Sequence, residues 1–240
     1  MDICQPTTAQ DDIDIDALRE RYRHEAVKRR RPDALSQYQE VSGDLVGFYE
    51  IDPYSPAREA GPVSEDTDVI VLGGGFAGLL AAARLKQAGI SSMRIIEFAG
   101  DFGGTWYWNR YPGAQCDVES YVYVPLQEEL NYVTKDKYSF GPEIFEHCQR
   151  IGHHFDLYRH ALFGTIVRSI RWDEASGRWI MKTNHDDEIR GRFFVLGAGV
   201  INRPKLPGIA GLREFKGHSF HTARWDYGYT GGDTTGGLTR

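Results

Sequence analysis

The stretch that decides the fold is Asp68–Glu97, which reads DVIVLGGGFAGLLAAARLKQAGISSMRIIE. Its pattern predicts a strand over Asp68–Leu72, a helix that runs through Ala88, and a second strand over Met93–Ile96. The glycines between the first strand and the helix form Gly-x-Gly-x-x-Gly, and the second strand ends on an acidic residue. This order is typical of a βαβ unit that binds a dinucleotide.

Each glycine of this motif has its own physical reason. We expect Gly73 to make the tight turn out of the strand, Gly75 to let the backbone approach a diphosphate, and Gly78 to let the helix pack close to the sheet. Glu97 can accept hydrogen bonds from both ribose hydroxyls and would repel a 2′-phosphate, so FAD or NAD is favoured over NADP. The alternative is a purely structural glycine turn. The strand, helix and acid around the motif favour the dinucleotide site.

Composition limits the classes of protein to consider. The chain has 240 residues, 41% of them hydrophobic, and a net charge of −6, which argues against nucleic acid as a main partner. No apolar run approaches the roughly 18 residues that span a membrane, and the N-terminus does not have the pattern of a signal peptide. The three cysteines have neither zinc nor disulfide spacing, so we expect a cytoplasmic protein in a reducing compartment.

The pattern divides the chain into three parts. Residues 1–66 are predicted to be a helical and extended arm, 67–227 the N-terminal part of a dinucleotide-binding domain, and 228–240 a Gly/Thr-rich linker. In the arm, apolar residues at helical spacing from Ile15 to Ala26 predict a helix with Asp14 or Asp16 as its cap. The basic run 28–31 after it is typical of a solvated helix end, with an anionic partner as the alternative.

Further elements follow the acidic strand. Pro142 near the start of 141–158 favours a helix there. Alternating residues over 165–172 and 178–183, separated by DEASG, predict a hairpin, and 189–196 is a further strand. Together these strands predict a β-meander inserted into the βαβ sheet. The expected fold is α/β: a three-layer, Rossmann-like domain with a parallel sheet and a β-meander, preceded by the helical arm.

A second chemical signal is the aromatic loop GGTWYWNRYPGAQCD at 103–117. It follows the acidic strand, so we expect it to cover the open side of the dinucleotide site. Trp106, Trp108 and Tyr111 offer flat apolar faces suited to a large planar ring. Asp117 is expected in aromatic surroundings, where it would find a cationic partner or be protonated. The alternative is an ordinary aromatic surface loop, which is disfavoured because so many exposed large rings need a ligand or a partner.

The third signal is FKGHSFHTARWD at 215–226. Its spacing alone says little, and His221 by itself would more often be a hydrogen-bonded structural histidine than a catalyst. The histidines on and near the helix at 141–158 suggest a metal only weakly, because no carboxylate or cysteine sits at ligand spacing beside them. We therefore predict no metal site.

Taken together, these residues resemble a known family, the Baeyer–Villiger monooxygenases, which are class B flavoprotein monooxygenases. Both fingerprints of that family are matched at every fixed position. The short one is Phe-x-Gly-x-x-x-His-x-x-x-Trp-(Pro or Asp), and its Trp225-Asp226 ending differs from the Tyr/Phe-Lys/Arg of heteroatom-oxidising relatives. The matching residues are Phe215, Gly217, His221, Trp225 and Asp226 for the short fingerprint, and Gly103, Gly104, Trp106, Tyr111, Pro112, Gly113 and Asp117 for the longer one.

The resemblance implies FAD and NADPH as cofactors, and a ketone and O₂ as substrates. One oxygen atom is inserted next to the ketone carbonyl to give an ester or lactone. It gives Asp117 a catalytic role beside the flavin and gives His221 a place in a segment that senses nicotinamide binding. The implied cofactor-binding residues are Gly73, Gly75, Gly78, Glu97, Thr105, Trp106, Tyr107, Trp108, Gln115, Cys116, Asp117, Val118, Tyr123 and Val167.

The chain departs from the family in length. Full members carry a second Gly-x-Gly-x-x-Gly for NADPH after the short fingerprint, and the arginine that pairs with the aspartate lies further on. We therefore expect this sequence to be the N-terminal part of a longer enzyme. The alternatives are a non-catalytic FAD-binding remnant and a heteroatom-oxidising flavin monooxygenase. The sequence leaves open which ketone is used, the regiochemistry and the oligomeric state.

Overall fold

The structure, a computed structural model, describes residues 14–200 and 202–240. The first thirteen residues of the predicted arm, among them Cys4, lie outside the described residues. Within the described part, the chain divides into two compact units. The first contains 14–39 and 207–215, and the second contains 40–200, 202–206 and 216–240.

The main elements run in the following order. The helices are α1 (Ile15–Arg29), α2 (Gly47–Glu50), α3 (Phe76–Gln87), α4 (Thr105–Trp108), α5 (Ser120–Tyr123), α6 (Gly141–His154) and α7 (Tyr227–Thr230). The strands are β1 (Tyr38–Gln39), β2 (Ser64–Leu72), β3 (Met93–Ile96), β4 (Ala161–Leu162), β5 (Val167–Asp173), β6 (Arg178–Thr183), β7 (Glu188–Leu196) and β8 (Leu206–Pro207).

The first unit contains helix α1, which begins where the sequence predicts. The Asp14 carboxylate accepts from the amides of Asp16 and Ala17, so Asp14 is the cap. None of the residues of Ile15–Arg29 is buried, although the apolar spacing is helical. Further along this unit, the Gly208 amide donates to the Gln37 carbonyl at 2.7 Å.

The second unit is built on one six-stranded sheet with the strand order β4-β3-β2-β7-β6-β5. Strands β4, β3, β2 and β7 are parallel, whereas β7, β6 and β5 form an antiparallel meander. The predicted meander therefore continues the parallel sheet directly through β7. The predicted α/β class is confirmed.

Alternation along β2 explains how the layers are held. Val69 and Val71 point to a cluster formed with helices α3 and α6, through residues such as Leu79 and Ile151. Ile70 points to the opposite face and packs with Met181 of the meander. The side chains of β2 therefore pack into hydrophobic clusters on both faces of the sheet.

One glycine lies where β7 packs closely against β2. Gly191 on β7 lies opposite Trp179 on β6, and a Cβ at Gly191 would lie 2.6 Å from Cγ1 of Ile70. A side chain there would collide with the core side chain of the central strand. Gly191 thus permits the close approach between the meander and β2.

Residues 40–63 pack within the same unit as the sheet, although they have little regular structure. Val41 and Leu45 are buried in it. Arg58 forms an ion pair with Asp187, in which both side chains are almost completely buried. This part of the predicted arm is therefore held against the sheet. In the described ranges 14–200 and 202–240, no helix is long and apolar enough to cross a membrane.

Candidate dinucleotide-binding site

The glycine turn joins the end of β2 to the start of α3. Gly73 has a φ of +104°, and its amide donates to the Ile96 carbonyl on β3 at 2.8 Å. A Cβ on Gly73 would lie 2.4 Å from the carbonyl oxygen of Gly197, at the end of β7. Gly73 is therefore required both by its backbone conformation and by the neighbouring strand.

Gly78 lies in the first turn of α3. A Cβ at this position would lie 1.8 Å from the Gly73 carbonyl oxygen, which is part of the turn itself. The missing side chain lets the helix sit directly on the turn. The first amides of α3 have no partner within the helix, so they and the positive end of the helix dipole form a place for an anionic diphosphate.

Gly75 lies against the loop that follows β3. A Cβ on Gly75 would lie 3.3 Å from the Gly104 Cα, and a Cβ on Gly104 would lie 2.7 Å from the Gly75 Cα. The Gly103 amide also donates to the Gly74 carbonyl at 3.0 Å. The two glycine-rich segments therefore approach each other backbone to backbone, and Gly75 leaves room for this loop.

Glu97 follows β3 and lies beside the glycine turn. Its carboxylate accepts from the Gly74 amide and, at 2.7 Å, from the Ala99 amide. The residue is only 6% exposed. Burial raises the pKa of Glu97, and the backbone hydrogen bonds partly offset that rise. A carboxylate oxygen accepts more than one hydrogen bond, so these contacts leave Glu97 able to accept from a ribose as well.

The aromatic loop is more enclosed than the sequence predicts. Tyr107 and Trp108 are buried, Trp106 is half-buried and Thr105 is exposed. Trp108 is covered by the Phe98 ring, 5.0 Å away between centroids, and by the Arg224 guanidinium, 3.5 Å from its ring centroid. Trp108 therefore packs against a protein ring and a protein cation in this structure, which the sequence does not predict.

The second half of the loop is pinned to the segment before α6. The Cys116 amide donates to the Ser139 carbonyl at 2.9 Å, and the Gln115 amide group donates to the Tyr138 carbonyl at 2.6 Å. Asp117 and Val118 are both exposed. Asp117 therefore lies on the surface of the loop in this structure, and its predicted aromatic surroundings stay a prediction.

Two other predicted residues lie at different places. Tyr123 on α5 accepts a hydrogen bond from the Trp106 indole at 2.9 Å, so it joins the aromatic loop. Val167 begins β5, opposite Thr183, and packs on the core side of the sheet that Ile70 occupies. The structure thus brings Tyr123 together with Trp106, whereas Val167 lies on the meander.

The segment 215–226 packs on the aromatic loop through Arg224. This arginine is 6% exposed, and its guanidinium donates to the carbonyls of Ala223 and Tyr49. Its Nε is buried and has no hydrogen-bond partner among residues 14–200 and 202–240. Burial lowers the pKa of Arg224 to about 10, which the negative charge of Asp52 partly offsets. His221 accepts from the Ala223 amide at 3.0 Å, and burial followed by the charge of Arg224 lowers the pKa of this histidine. His221 therefore caps a short 3-10 helix, Thr222–Arg224.

Sequence reasoning missed Asp52. Its carboxylate accepts from the Tyr107 hydroxyl at 2.6 Å, from the Gly100 amide at 2.9 Å and from the Tyr54 amide at 2.9 Å. Residues 51–54 read Ile-Asp-Pro-Tyr, a turn-like sequence without periodicity. Nothing in that pattern indicates a partner 55 positions away.

The strand order and the glycine turn define a dinucleotide-binding protein of the Rossmann-like class. The sequence profile of the NAD(P)-binding Rossmann-like domain matches residues 71–136. These residues contain the glycine turn, helix α3, Glu97 and the aromatic loop.

Known relatives narrow this class. The chain is 51% identical over 225 residues to a Baeyer–Villiger monooxygenase of Streptomyces coelicolor, covering 92% of this chain and 37% of the relative. It superposes on the structure of a polycyclic ketone monooxygenase from the fungus Thermothelomyces thermophila with a TM-score of 0.83 and 39% identity, covering 92% of this chain and 38% of that one. A complex of OTEMO with FAD and NADP gives a TM-score of 0.63 and 33% identity, over 68% of this chain and 31% of that one.

The chain spans about 38% of the length of the curated relatives it matches. The resemblance to the N-terminal part of the Baeyer–Villiger monooxygenases, which the two fingerprints predict, is thereby confirmed.

Proposed function

We propose that this chain is the FAD-binding part of an FAD- and NADPH-dependent ketone monooxygenase of the Baeyer–Villiger type. The observation that carries the proposal is the juxtaposition of the glycine turn, the free end of α3 and Glu97. An anionic diphosphate fits the helix end, and an acid beside it fits a ribose with two free hydroxyls. FAD has both groups, whereas NADPH has a 2′-phosphate that Glu97 would repel.

The residues of the site have distinct roles in this proposal. Gly73, Gly75 and Gly78 shape the turn, and Glu97 holds the ribose. Trp106 and Tyr123, joined by their hydrogen bond, form a wall on the flavin side. FAD held by these residues would supply the redox chemistry between NADPH and O₂. The remaining proposed contacts are Thr105, Tyr107, Trp108, Gln115, Cys116, Val118 and Val167.

Asp117 is proposed to act on the redox side of the flavin. It is exposed on a loop in which the neighbouring Gln115 side chain and Cys116 amide donate hydrogen bonds to backbone carbonyls. A carboxylate held in this way can orient a cationic group near the reacting atoms. The proposed substrates are a ketone, of polycyclic size by analogy with the fungal relative, and O₂.

A reducing, cytoplasmic location is also part of the proposal. It is supported by Cys116 and Cys148, which are both buried and, within the part of the chain that the structure describes, form no disulfide. Thiols of this kind persist where the compartment is reducing.

The direct test is a titration of the purified chain with FAD, followed by flavin fluorescence. We expect saturable binding that Glu97→Ala weakens strongly, while NADP⁺ does not compete at similar concentration. Equal binding by the Glu97→Ala variant would overturn the assignment of this site.

A second test separates the monooxygenase from its alternatives. The only complete Gly-x-Gly-x-x-Gly in the 240 residues is the one assigned to FAD, so we expect the FAD-loaded chain to oxidise NADPH no faster than free flavin does. The coding sequence beyond the Arg240 codon then distinguishes the ketone monooxygenase from its alternatives. A second glycine fingerprint there, with lactone formed from a ketone by the longer product, supports the proposal. Sulfide or amine oxidation without lactone would favour a heteroatom-oxidising enzyme.

A further inference from the structure

Asp52 connects three separate parts of the second unit. Its Oδ2 accepts from the Gly100 amide, in the loop after β3, and from the Tyr107 hydroxyl in α4. Its Oδ1 accepts from the Tyr54 amide in its own segment. One carboxylate from residues 40–63 thus holds both the segment just before the aromatic loop and the short helix near the start of that loop.

Tyr107 is the residue through which this contact reaches the loop. It is 2% exposed, and its hydroxyl lies 2.6 Å from the Asp52 carboxylate. Burial raises the pKa of Tyr107, and the hydrogen bond to Asp52 raises it further, so the hydroxyl remains a donor at any physiological pH. A short hydrogen bond to a carboxylate in a dry environment is among the strong ones.

The position of Tyr107 within α4 gives this contact its importance. The residues on either side in sequence are Trp106, which is half-buried and bonded to Tyr123, and Trp108, which is covered by Arg224. The helix has only four residues, so its backbone hydrogen bonds do little to fix its orientation. The hydrogen bond between Tyr107 and Asp52 therefore determines the positions of the Trp106 ring and the exposed Thr105 relative to the glycine turn.

The same segment also contacts the 215–226 segment. The Tyr54 hydroxyl donates to the Trp225 carbonyl at 3.2 Å, and the Arg224 guanidinium donates to the Tyr49 carbonyl at 3.3 Å. The ring of Tyr54 and that of Tyr107 lie on the guanidinium of Arg110, at 4.2 and 4.4 Å from their centroids. Residues 49–54 therefore contact both the aromatic loop and Arg224 and Trp225 of the short fingerprint.

We propose that Asp52 is a positioning residue for the flavin: through Tyr107 it holds helix α4 in the orientation that binds the cofactor. The inference rests on the proposed function, because it assigns the aromatic loop to FAD. It goes beyond that function by giving a specific role in cofactor binding to a residue of the predicted arm, residues 1–66.

The experiment compares Tyr107→Phe with Tyr132→Phe in the full chain. Tyr107→Phe removes only the hydroxyl that Asp52 binds. Tyr132→Phe removes the same kind of bond elsewhere, since the Tyr132 hydroxyl donates to the Glu143 carboxylate at 2.5 Å. Melting temperature and the dissociation constant for FAD are measured for both variants and for Asp52→Asn.

We expect Tyr107→Phe and Asp52→Asn to weaken FAD binding at least about fivefold and to change the fluorescence of bound flavin, because a lost hydrogen bond to a charged group is large enough to reorient α4. Tyr132→Phe should lower the melting temperature to a similar degree while leaving FAD affinity within about twofold of wild type. The double variant Asp52→Asn/Tyr107→Phe should bind FAD no more weakly than the single variant with the lower FAD affinity, because the two substitutions remove the same hydrogen bond.

Two results would overturn the inference. FAD affinity of Tyr107→Phe within about twofold of wild type would mean that the bond serves stability alone, and an equal loss in Tyr132→Phe would mean the same. If Asp52→Asn does not fold, Tyr107→Phe decides by itself. A wild-type chain that does not bind FAD overturns the proposed function and this inference with it, whereas normal wild-type binding with unaffected variants overturns the inference only.

Discussion

Arg58 Nη1 lies 2.7 Å from Asp187 Oδ2, and the two side chains are 9% and 0% exposed. The Asp187 carboxylate also accepts from the Val63 amide and from the Thr183 hydroxyl. This buried ion pair joins the segment before β2 to the turn between β6 and β7. Its geometry satisfies a charge that would otherwise be costly to bury.

Arg58→Met should therefore destabilise the chain by about 3 kcal/mol or more, because it leaves the Asp187 carboxylate buried without its cation. The matched control is Arg168→Met. Arg168 pairs with Glu50 at 2.9 Å, but these side chains are 50% and 32% exposed, so its loss should change stability by no more than about 1 kcal/mol. Urea unfolding measures both. Similar losses in the two variants would contradict the special role of the buried pair.

The same pair should make stability depend on acid pH. Burial acts to raise the pKa of Asp187, but the hydrogen bonds from Arg58, Thr183 and Val63 outweigh it and lower the pKa below its usual 3.8. A lowered pKa stabilises the folded state above the unfolded-state value and loses that effect as the pH falls through the folded-state value. The stability advantage of wild type over Asp187→Asn should thus be constant above about pH 5 and shrink below about pH 4. An advantage that grows as the pH falls would show that the sign is wrong.

Gly78→Ala should disrupt the glycine turn. The added Cβ would lie 1.8 Å from a backbone oxygen of Gly73, which cannot move without shifting the strand end or helix α3. We expect a loss of about 3 kcal/mol or more, at the upper end for an overpacked site. Gly61→Ala is the control, because its Cβ would meet nothing within 4 Å. Equal melting temperatures of the two variants would rule out this packing.

FAD affinity should fall as the pH is lowered, with Glu97 as the cause. Burial raises the pKa of Glu97 above its usual 4.5, so the carboxylate becomes protonated at a higher pH than an exposed glutamate. A protonated carboxyl loses one acceptor for the ribose hydroxyls. Glu97→Gln should bind about tenfold more weakly near pH 8 and show a flat pH profile, consistent with losing a hydrogen bond to a charged acceptor. The FAD dissociation constants of wild type and Glu97→Gln, measured between pH 5 and pH 8, should converge towards low pH. Parallel pH profiles of the two proteins would exclude Glu97 as the cause of the pH dependence.

Asp117→Ala should leave stability almost unchanged. The side chain is exposed, so its removal should alter the free energy of unfolding by less than about 0.5 kcal/mol. Ser139→Ala, which removes a buried hydroxyl from the segment that pins this loop, provides the comparison. A loss above about 1 kcal/mol for Asp117→Ala would place this residue in the scaffold and weaken its proposed role at the redox site.

The parts of the fold that the sequence predicts are those governed by local pattern. The alternation of Val69, Ile70 and Val71 places them on two faces, and Asp14 caps α1 as expected. Turn residues between β5 and β6 also predict the hairpin. In each case the residues that cause the feature lie within a few positions of it, so the local sequence pattern is enough to predict it.

The contacts that were not predicted link distant positions. Asp52 and Tyr107 are 55 positions apart, and Arg58 and Asp187 are 129 apart. Helix α1 shows a related failure, because its apolar spacing predicts the helix correctly but says nothing of burial. The sequence predicts that Trp108 offers a flat face to a ligand, yet Phe98 and Arg224 pack against its ring. Such features depend on which surfaces meet, and a single sequence does not encode that in its local pattern.

The pairing of β2 with β7 has a consequence for synthesis on the ribosome. Arg190 of β7 pairs across from Asp66 of β2 but is made 124 positions later. At roughly 5–20 residues per second, translation takes roughly 6–25 s to cover that distance. Throughout that interval, the amides and carbonyls on the edge of β2 that pairs with β7 have no strand partner. The nascent chain therefore passes through a stage at which a chaperone, or a second copy of the same strand, can reach that edge first.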